Sequence, residues 1–379
     1  MKFERLKIRK VLNTKSNLTI EVEGKFNKGR VRGSVPAGTS AGKHEVVSLP
    51  VDRVIRKFKL LKKKFEGVEF SSLEEVDSLL HEIDGTENFS KIGGNLALAI
   101  SYVFLKGFAL NEGLEVFEYL GGKKLPKPLC NVAGGWGKES EIQEYLIYPK
   151  VQRSIAASIF KIAEVYRQLG KMFKKYDKTF NMGKNYESAW AVRLDAKKIL
   201  TIISKAIEGK GLVIGLDVAA SDRWDGKTYV GRSEKEHYTF LKRLVKRFGI
   251  GYVEDPFHED DFETFAKFTK EMKRVMVCGD DLLVTNVKRL ETALKNKSVN
   301  TVLVKPNQIG TVSDTIAFVK MAKKHGLKTV LSHRSGETDD AIIAHLAVGL
   351  ETDYAKFGTS GERVVKLNEL IRIEEKIKG

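Results

Sequence analysis

The hydrophobic positions in the second half of the chain form short, unbroken runs, and each run leads to a charged residue. Five such runs, LVIGLD, GIGYVED, VMVCGDD, TVLVK and TVLSHRS, lead to Asp217, Glu254, Asp280, Lys305 and His333. Unbroken apolar strands are typical of parallel sheets, which are buried on both faces. Helical patterns separate the runs, and this alternation predicts a parallel α/β barrel with a functional site at the carboxyl ends of its strands.

The helical patterns around these runs place apolar residues three and four positions apart. They cover Ile155–Phe173, Leu194–Ile207, Tyr238–Phe248, Phe262–Met272, Val287–Leu294 and Thr311–His325. An open doubly wound sheet is the structural alternative, but no glycine-rich phosphate turn follows an early strand.

The first part of the chain has a different pattern, in which apolar and polar residues alternate at Leu18–Gly24 and Gly29–Val35. This pattern predicts a small sheet. The small residues of Pro36–Glu45 indicate either a plain surface loop or a lid over a site. Helical patterns follow at Arg53–Lys64, Leu73–Glu82 and Asn95–Ala109. Because LPKPLCN carries two prolines, we expect two domains, an α+β domain over 1–125 and a barrel over 126–379.

Composition narrows the class of protein. A chain of 379 residues with 42% hydrophobic residues can bury a large core, which argues against disorder. Its two cysteines, Cys130 and Cys278, imply no disulfide framework and fit a reducing cytoplasm. The start is charged rather than signal-like, and the apolar stretch Leu96–Leu110 is interrupted by Lys106. We therefore predict a soluble protein with no membrane partner.

The net charge of +17 raises the alternative of nucleic-acid binding. Basic residues are spread along the chain, with one dense run at Arg53–Lys64. Apolar residues fall at helical spacing within that run, so it reads as an amphipathic helix with a solvated basic face. A basic surface without a nucleic-acid partner is the favoured interpretation.

The acids at three strand ends predict a metal site. Asp217, Glu254 and Asp280 follow three successive runs and would repel one another unless a cation lay between them. Magnesium prefers such oxygen ligands, although surface charges at helix starts are the alternative. Lys305 follows the next run, where a dry, partly cationic pocket would lower its proton affinity and let it act as a general base. The alternative is a structural ion pair with a carboxylate. A lysine beside magnesium is suited to making and stabilising an enolate.

Donors for an anionic small molecule follow the last two strands. His333, Arg334 and Ser335 are consecutive, and Lys356 adds a cation at what we predict to be the last strand end. Guanidinium and hydroxyl groups are suited to phosphate or carboxylate binding. The alternative is that all four are ordinary polar residues at strand ends.

At this point the chain resembles the enolase family, the phosphopyruvate hydratases of glycolysis. The matching segments cover almost the whole chain: SVPAGTSAGKHE, KPLCNVAGG, IQEYLIYP, GLDVAASD, VEDPFHEDD, GDDLLVTNVKRL, VKPNQIGTVSDTI, LSHRSGETDDAIIAHLAVGL and KLNELIRIEEKI. The resemblance implies an α+β domain capping an irregular (β/α)8 barrel, dehydration of 2-phosphoglycerate to phosphoenolpyruvate, magnesium as cofactor and a homo-oligomeric assembly.

The resemblance also assigns roles to residues. It implies that the first magnesium is held by Asp217, Glu254 and Asp280, and that Lys305 removes the carbon-bound proton. It implies that the substrate is bound by Lys356 at its carboxylate and by Arg334 and Ser335 at its phosphate, with His333 beside them. Ser40 matches a lid serine that helps to hold a second magnesium. Gln143 and Glu144 match a substrate-binding and a catalytic residue on the first barrel strand.

Three segments depart from the family pattern. After Gly134-Gly135 the family has a Ser-His-Ala segment, whereas this chain continues WGKESEI without a histidine. In place of a Gly-Asp-Glu-Gly-Gly loop the chain has MGKNYES, which puts Lys184 and Asn185 where Asp-Glu is expected. Glu187 lies two residues on and is a candidate substitute. Gly358–Arg363 is shorter than its counterpart. The residues for proton abstraction are present, but those for expelling hydroxide are altered.

Three functions therefore compete. The first is a magnesium-dependent enolase, with activity that the altered loops impair. The second is a diverged lyase or isomerase that acts on a related phosphorylated or carboxylated acid. The third is a non-catalytic, basic enolase-like protein that binds a ligand, a partner or RNA. The acids and Lys305 favour the first two functions, because a binding protein has no need of them.

Overall fold

A computed structural model describes residues 3–38, 42–65, 67–134 and 140–379 of the chain. Ser40, predicted to lie in a lid, falls outside these residues, as do positions 136–139 of the first departing segment. Among the described residues, no helix combines the length and the apolar composition that a membrane crossing requires.

The first part of the chain is a three-stranded antiparallel sheet in the order β1-β2-β3, covered by helices. Its elements are β1 Phe3–Leu12, β2 Leu18–Phe26, β3 Gly29–Ser34, α1 Val51–Leu61, α2 Leu73–Asp84, α3 Gly94–Glu112 and α4 Val116–Tyr119. The predicted strands and helices are confirmed within a few residues. β1 was not predicted, because charged side chains interrupt its alternation and only Phe3 and Leu6 are buried.

The second part is a closed barrel surrounded by helices. Its strands are β4 Lys127–Gly134, β5 Glu144–Pro149, β7 Leu212–Asp217, β8 Tyr252–Glu254, β9 Met276–Gly279, β10 Thr301–Val304, β11 Lys328–Ser332 and β12 Tyr354–Gly358, with β6 Trp190–Ala191 outside the ring. Its helices are α5 Ile155–Tyr176, α6 Ala196–Ile207, α7 Glu234–Phe248, α8 Phe262–Glu271, α9 Val287–Asn296, α10 Pro306–Ile309, α11 Val312–Lys324, α12 Ile342–Gly349 and α13 Val364–Lys378.

The barrel closes where β12 pairs with β4 in parallel. β5 is antiparallel to both of its neighbours, β4 and β7, and the other ring pairings are parallel. The opening β4-β5-α5-α6 arrangement therefore interrupts the strand–helix alternation. The predicted irregular α/β barrel with an N-terminal α+β domain is confirmed, while the domain boundary at 125/126 stays a prediction.

The inside of the barrel is filled by apolar side chains, so it is a packed core rather than a pore. A cluster of buried side chains from the strands fills it: Leu129, Leu146, Tyr148, Tyr252, Cys278, Leu303 and Val330. Both cysteines are buried and free. Because this apolar cluster fills the centre of the barrel, the polar residues at the strand ends lie at one open mouth of it.

A buried acid, Asp77 of α2, joins the N-terminal domain to the barrel. Its Oδ2 accepts hydrogen bonds from Ser101 Oγ at 3.1 Å and from the backbone N–H of Ser313 at 2.9 Å. Burial raises the pKa of Asp77 to about 6, against about 3.9 for an exposed aspartate.

This pKa predicts a pH dependence of stability. The folded state binds the Asp77 proton more tightly than the unfolded chain does. The protonated carboxyl therefore contributes about 3 kcal/mol to the free energy of unfolding below pH ~4, and this contribution is lost as the pH rises through ~6. Asp77→Asn has no such proton to lose. We expect its free energy of unfolding, relative to the parent, to rise by that amount between pH 4 and pH 7 in urea titrations. If the difference in free energy of unfolding between Asp77→Asn and the parent stayed constant over this pH range, the prediction would be contradicted.

Candidate active site

The predicted strand-end residues lie at one mouth of the barrel, and all of them except Glu254 line a cavity of about 760 Å³ there. Asp217 and Glu254 are the last residues of β7 and β8, and Asp280, Lys305 and His333 directly follow β9, β10 and β11. The neighbouring order of these strands brings together residues that are distant along the chain.

Two predicted positions need correction. Lys356 was expected at a strand end, but it is the third residue of β12 and is buried within the barrel mouth. Glu144 begins β5, the second barrel strand rather than the first, and Gln143 immediately precedes it. Because β5 runs antiparallel to its neighbours, its first residue reaches the mouth at which the parallel strands end. Both Gln143 and Glu144 line the cavity.

Lys356 is the centre of a buried ionic cluster. Its Nζ lies 2.7 Å from Asp217 Oδ2, 2.7 Å from Glu254 Oε1 and 3.0 Å from Glu144 Oε2. Burial opposes the charged ammonium, yet the charges of Asp217, Glu144 and Glu254 outweigh it and raise the pKa of Lys356 well above its usual value. Tyr252 donates a 2.6 Å hydrogen bond to the other oxygen of Glu254. The ammonium thus holds three acids from three strands.

Lys305 forms a second ion pair, to Oδ2 of Asp280. The other oxygen of Asp280 accepts a 2.9 Å hydrogen bond from Gln308 Nε2. Burial favours the neutral amine, but the charge of Asp280 prevails and raises the pKa of Lys305 to about 12. The prediction from the sequence was that the pocket would lower this proton affinity. The reverse holds without a cation, because a carboxylate is the nearest charge.

The acids at this mouth fit a hard divalent cation. Burial and the charge of Asp217 raise the pKa of Glu254 to about 8, and burial and the charge of Asp280 raise that of Asp281 to about 8. Ionising these carboxyls where they lie is therefore unfavourable, and a cation beside them would offset that cost. Crowded oxygen ligands are what magnesium prefers.

The ligand geometry departs from the predicted trio in one respect. Among the described residues, the acids with oxygens all within 4.8 Å of one another are Asp255, Asp280 and Asp281. Asp255 accepts 2.8 Å hydrogen bonds from the backbone N–H groups of Asp280 and Asp281, so it orients them. Asp217 and Glu254 are joined through the ammonium of Lys356. Neither Asp255 nor Asp281 was among the predicted ligands, although each adjoins a predicted acid in the sequence.

The predicted phosphate-binding residues line the same cavity. Arg334 forms a bidentate pair with Glu45, with nitrogen–oxygen distances of 3.0 and 3.1 Å. Both side chains are 6% exposed. Glu45 comes from the N-terminal domain and was not predicted as a site residue; its place at the end of the small-residue loop was the available signal. His333 and Ser335 flank Arg334 and also line the cavity.

Comparison with known proteins agrees with this arrangement. The family model for the enolase N-terminal domain matches residues 3–120, and that for the enolase C-terminal TIM barrel domain matches residues 122–379. The chain belongs to the enolase family. It is 40% identical to the enolase of Archaeoglobus fulgidus, over 99% of this chain and 98% of that protein. It is 38% identical to the enolase of Methanosphaera stadtmanae, over 99% and 97% of the two chains.

Membership of the enolase family makes the altered MGKNYES loop the main question at this site. The loop borders the cavity, where Lys184, Asn185, Tyr186 and Glu187 are among the lining residues. Arg363, from the shortened Gly358–Arg363 segment, was not predicted as a site residue. It is fully buried and donates hydrogen bonds to the carbonyl oxygens of Arg334 and Ser335, both at 2.6 Å.

Proposed function

We propose that this enolase-family chain is a magnesium-dependent carbon–oxygen lyase that converts 2-phosphoglycerate to phosphoenolpyruvate and water. The observation that carries the proposal is the single cavity that collects Lys305 and the buried Lys356 with buried acids and Arg334. A binding protein has no use for a buried lysine–carboxylate cluster of this kind, since burying such charges is unfavourable.

The proposed roles follow from position and charge. Lys305 lies at the cavity wall and takes the proton from the carbon that carries the phosphate, C2. Asp217, Glu254 and Asp280 hold magnesium. Bound magnesium would cancel the negative charge that keeps the proton on Lys305 and would stabilise negative charge on the substrate carboxylate.

The substrate's anionic groups have separate partners. Arg334 and Ser335 bind the phosphate, and Arg334 exchanges its contact with Glu45 for one with the phosphate. Lys356 faces the substrate carboxylate, and Gln143 and His333 line the remaining wall. Ser40, outside the described residues, is proposed to contribute from the lid. A homo-oligomeric assembly and a cytoplasmic location stay predictions.

A second candidate function is favoured by one observation. The resemblance puts Asn185 at the position of the family's loop glutamate, and an amide is no general acid. On this reading the chain abstracts the same kind of proton from a related phosphorylated or carboxylated acid, without expelling hydroxide.

Deuterium exchange separates the two functions. With magnesium and 2-phosphoglycerate in deuterated water, we expect exchange at C2 and formation of phosphoenolpyruvate, because the proposed base Lys305 and the acid Glu144 both line the cavity. Chelation of magnesium by EDTA should abolish both signals, and added magnesium should restore them. Exchange without product would favour the second function. The absence of both signals, together with no calorimetric binding of magnesium, would exclude the proposed reaction.

A further inference from the structure

Glu254 is the most deeply buried of the three proposed magnesium ligands. It is fully buried, whereas Asp217 and Asp280 each keep a small exposed fraction and line the cavity. A carboxylate that lies behind the cavity wall can bind a cation there only if one of its oxygens is held toward the other ligands. The orientation of its carboxyl group therefore decides whether Glu254 can act as a ligand.

The two carboxyl oxygens of Glu254 have different partners. Oε1 lies 2.7 Å from the Nζ of Lys356, and the same ammonium lies 2.7 Å from Oδ2 of Asp217. Oε2 accepts a 2.6 Å hydrogen bond from the hydroxyl of Tyr252. Oε1 is therefore the oxygen on the side of the other acid, where a shared cation would bind.

Tyr252 has the position and the chemistry of a permanent donor to Glu254. It lies two residues before Glu254 on β8, so both side chains point to the same side of the strand, the inside of the barrel. A phenol keeps its proton at neutral pH, and a carboxylate can only accept. A distance of 2.6 Å is typical of a hydrogen bond from a hydroxyl to a charged carboxylate, which is stronger than one between neutral groups.

The ring of Tyr252 is fixed by the packing inside the barrel. It is fully buried and belongs to the apolar cluster that fills the barrel. Gly215, on the neighbouring strand β7, leaves room for this ring, because a Cβ at Gly215 would lie only 3.2 Å from Tyr252 Cδ1. A close-packed ring of this kind cannot shift without disturbing its neighbours, so its hydroxyl stays directed at Glu254.

Loss of this hydroxyl would change how Glu254 is held. Oε2 would be buried without its donor, which is unfavourable. The carboxyl group would then turn toward the ammonium of Lys356, and that ammonium would compete more strongly with a cation for both oxygens.

We propose that Tyr252 is a positioning residue for magnesium, which occupies Oε2 of Glu254 and keeps Oε1 directed at the cation. This inference rests on the proposed function, because it concerns the magnesium that the proposed reaction uses. Partners that hydrogen-bond to a metal ligand fix its orientation, and their loss typically weakens metal binding by about 10–100-fold. Tyr252 acts through Glu254 and is not itself a ligand.

The test measures magnesium binding by titration calorimetry, without substrate, for the parent and for Tyr252→Phe. This change removes one oxygen and keeps the ring that packs inside the barrel. We expect the dissociation constant for magnesium to rise by about 10–100-fold. In assays of phosphoenolpyruvate formation, the magnesium concentration that gives half the maximal rate should rise in parallel. The rate at saturating magnesium should stay close to that of the parent.

Tyr148→Phe is the matched control. Tyr148 belongs to the same inner cluster, but it lies four residues after Glu144 on β5, toward the opposite end of the barrel. The loss of its hydroxyl should leave magnesium binding unchanged. A second control is Tyr252→Phe in a Glu254→Gln background, where the carboxylate is already absent. There it should change the dissociation constant by no more than about twofold.

Each outcome bears on one proposal or on both. Magnesium binding by Tyr252→Phe with the parental dissociation constant overturns the role of Tyr252 and leaves the proposed function standing. An equal weakening in Tyr148→Phe, or an undiminished effect of Tyr252→Phe in the Glu254→Gln background, also overturns it, because the effect would then not pass through Glu254. A parent that binds no magnesium removes the proposed function and this inference together.

Discussion

Lys305→Ala is expected to lose both exchange at C2 and formation of phosphoenolpyruvate, each by about two to four powers of ten. The reason is that Lys305 is the proposed base, and both signals require the C2 proton to be removed. Deuterium incorporation followed by NMR and product followed by absorbance measure the two rates separately.

The control for this variant is Lys320→Ala, which changes an exposed lysine on α11 that does not line the cavity. It should leave both rates unchanged. Because Lys305 is paired with Asp280, its loss leaves a buried carboxylate without that cation. Lys305→Arg keeps a positive charge but is a poor base, so it separates folding from chemistry. Exchange by Lys305→Ala at the parental rate would show that another group is the base.

Lys356→Met is expected to destabilise the protein by about 3–5 kcal/mol in EDTA, the usual effect of removing one partner of a buried ion pair. Its ammonium lies 2.7 Å from both Asp217 and Glu254, and the variant leaves these acids facing each other. Added magnesium should restore part of the loss, because a divalent cation would neutralise the same acids. Urea unfolding with and without magnesium measures the effect.

A double variant gives the internal control. Glu254→Gln in the Lys356→Met background removes one of the uncompensated charges, so the pair of changes should cost less than the sum of the two single changes. Additive effects would contradict the proposed coupling between Lys356 and Glu254. An equal loss with and without magnesium would contradict the proposal that these acids share a cation.

The local sequence pattern was sufficient to predict the strands that are buried on both faces. The runs before Asp217, Glu254 and Asp280 are continuous and apolar, and each forms a parallel strand of the barrel. β1 escaped prediction because it is half-exposed and rich in charged residues, so its single buried face leaves a weak alternation. The antiparallel direction of β5 could not be predicted from the sequence either, since the direction of a strand is defined relative to its neighbours in the sheet.

The sequence predicted which residues form the candidate site better than it predicted which of them form ion pairs. The residues at strand ends were identified because each follows a recognisable run. Their partners were not, because the contact between Arg334 and Glu45 spans 289 positions of the chain. The proton affinity of Lys305 was predicted in the wrong direction for the same reason, since it depends on the carboxylate that lies nearest in space.

By itself, the sequence determined the family, the barrel with its capping domain, and the acids and lysines that surround the site. These features are encoded in local motifs and in the spacing of apolar residues, so they can be predicted from the sequence alone. The tertiary structure alone decided which charges neutralise one another and whether the altered loop still presents an acid. Glu187 lies two residues beyond the position expected from the sequence. Its backbone N–H donates a hydrogen bond to Asn185 Oδ1, Arg363 donates one to the carbonyl oxygen of Tyr186, and its carboxyl lies 3.6 Å from His333 Nε2. Contacts of this kind depend on distance in space, which residue order does not specify.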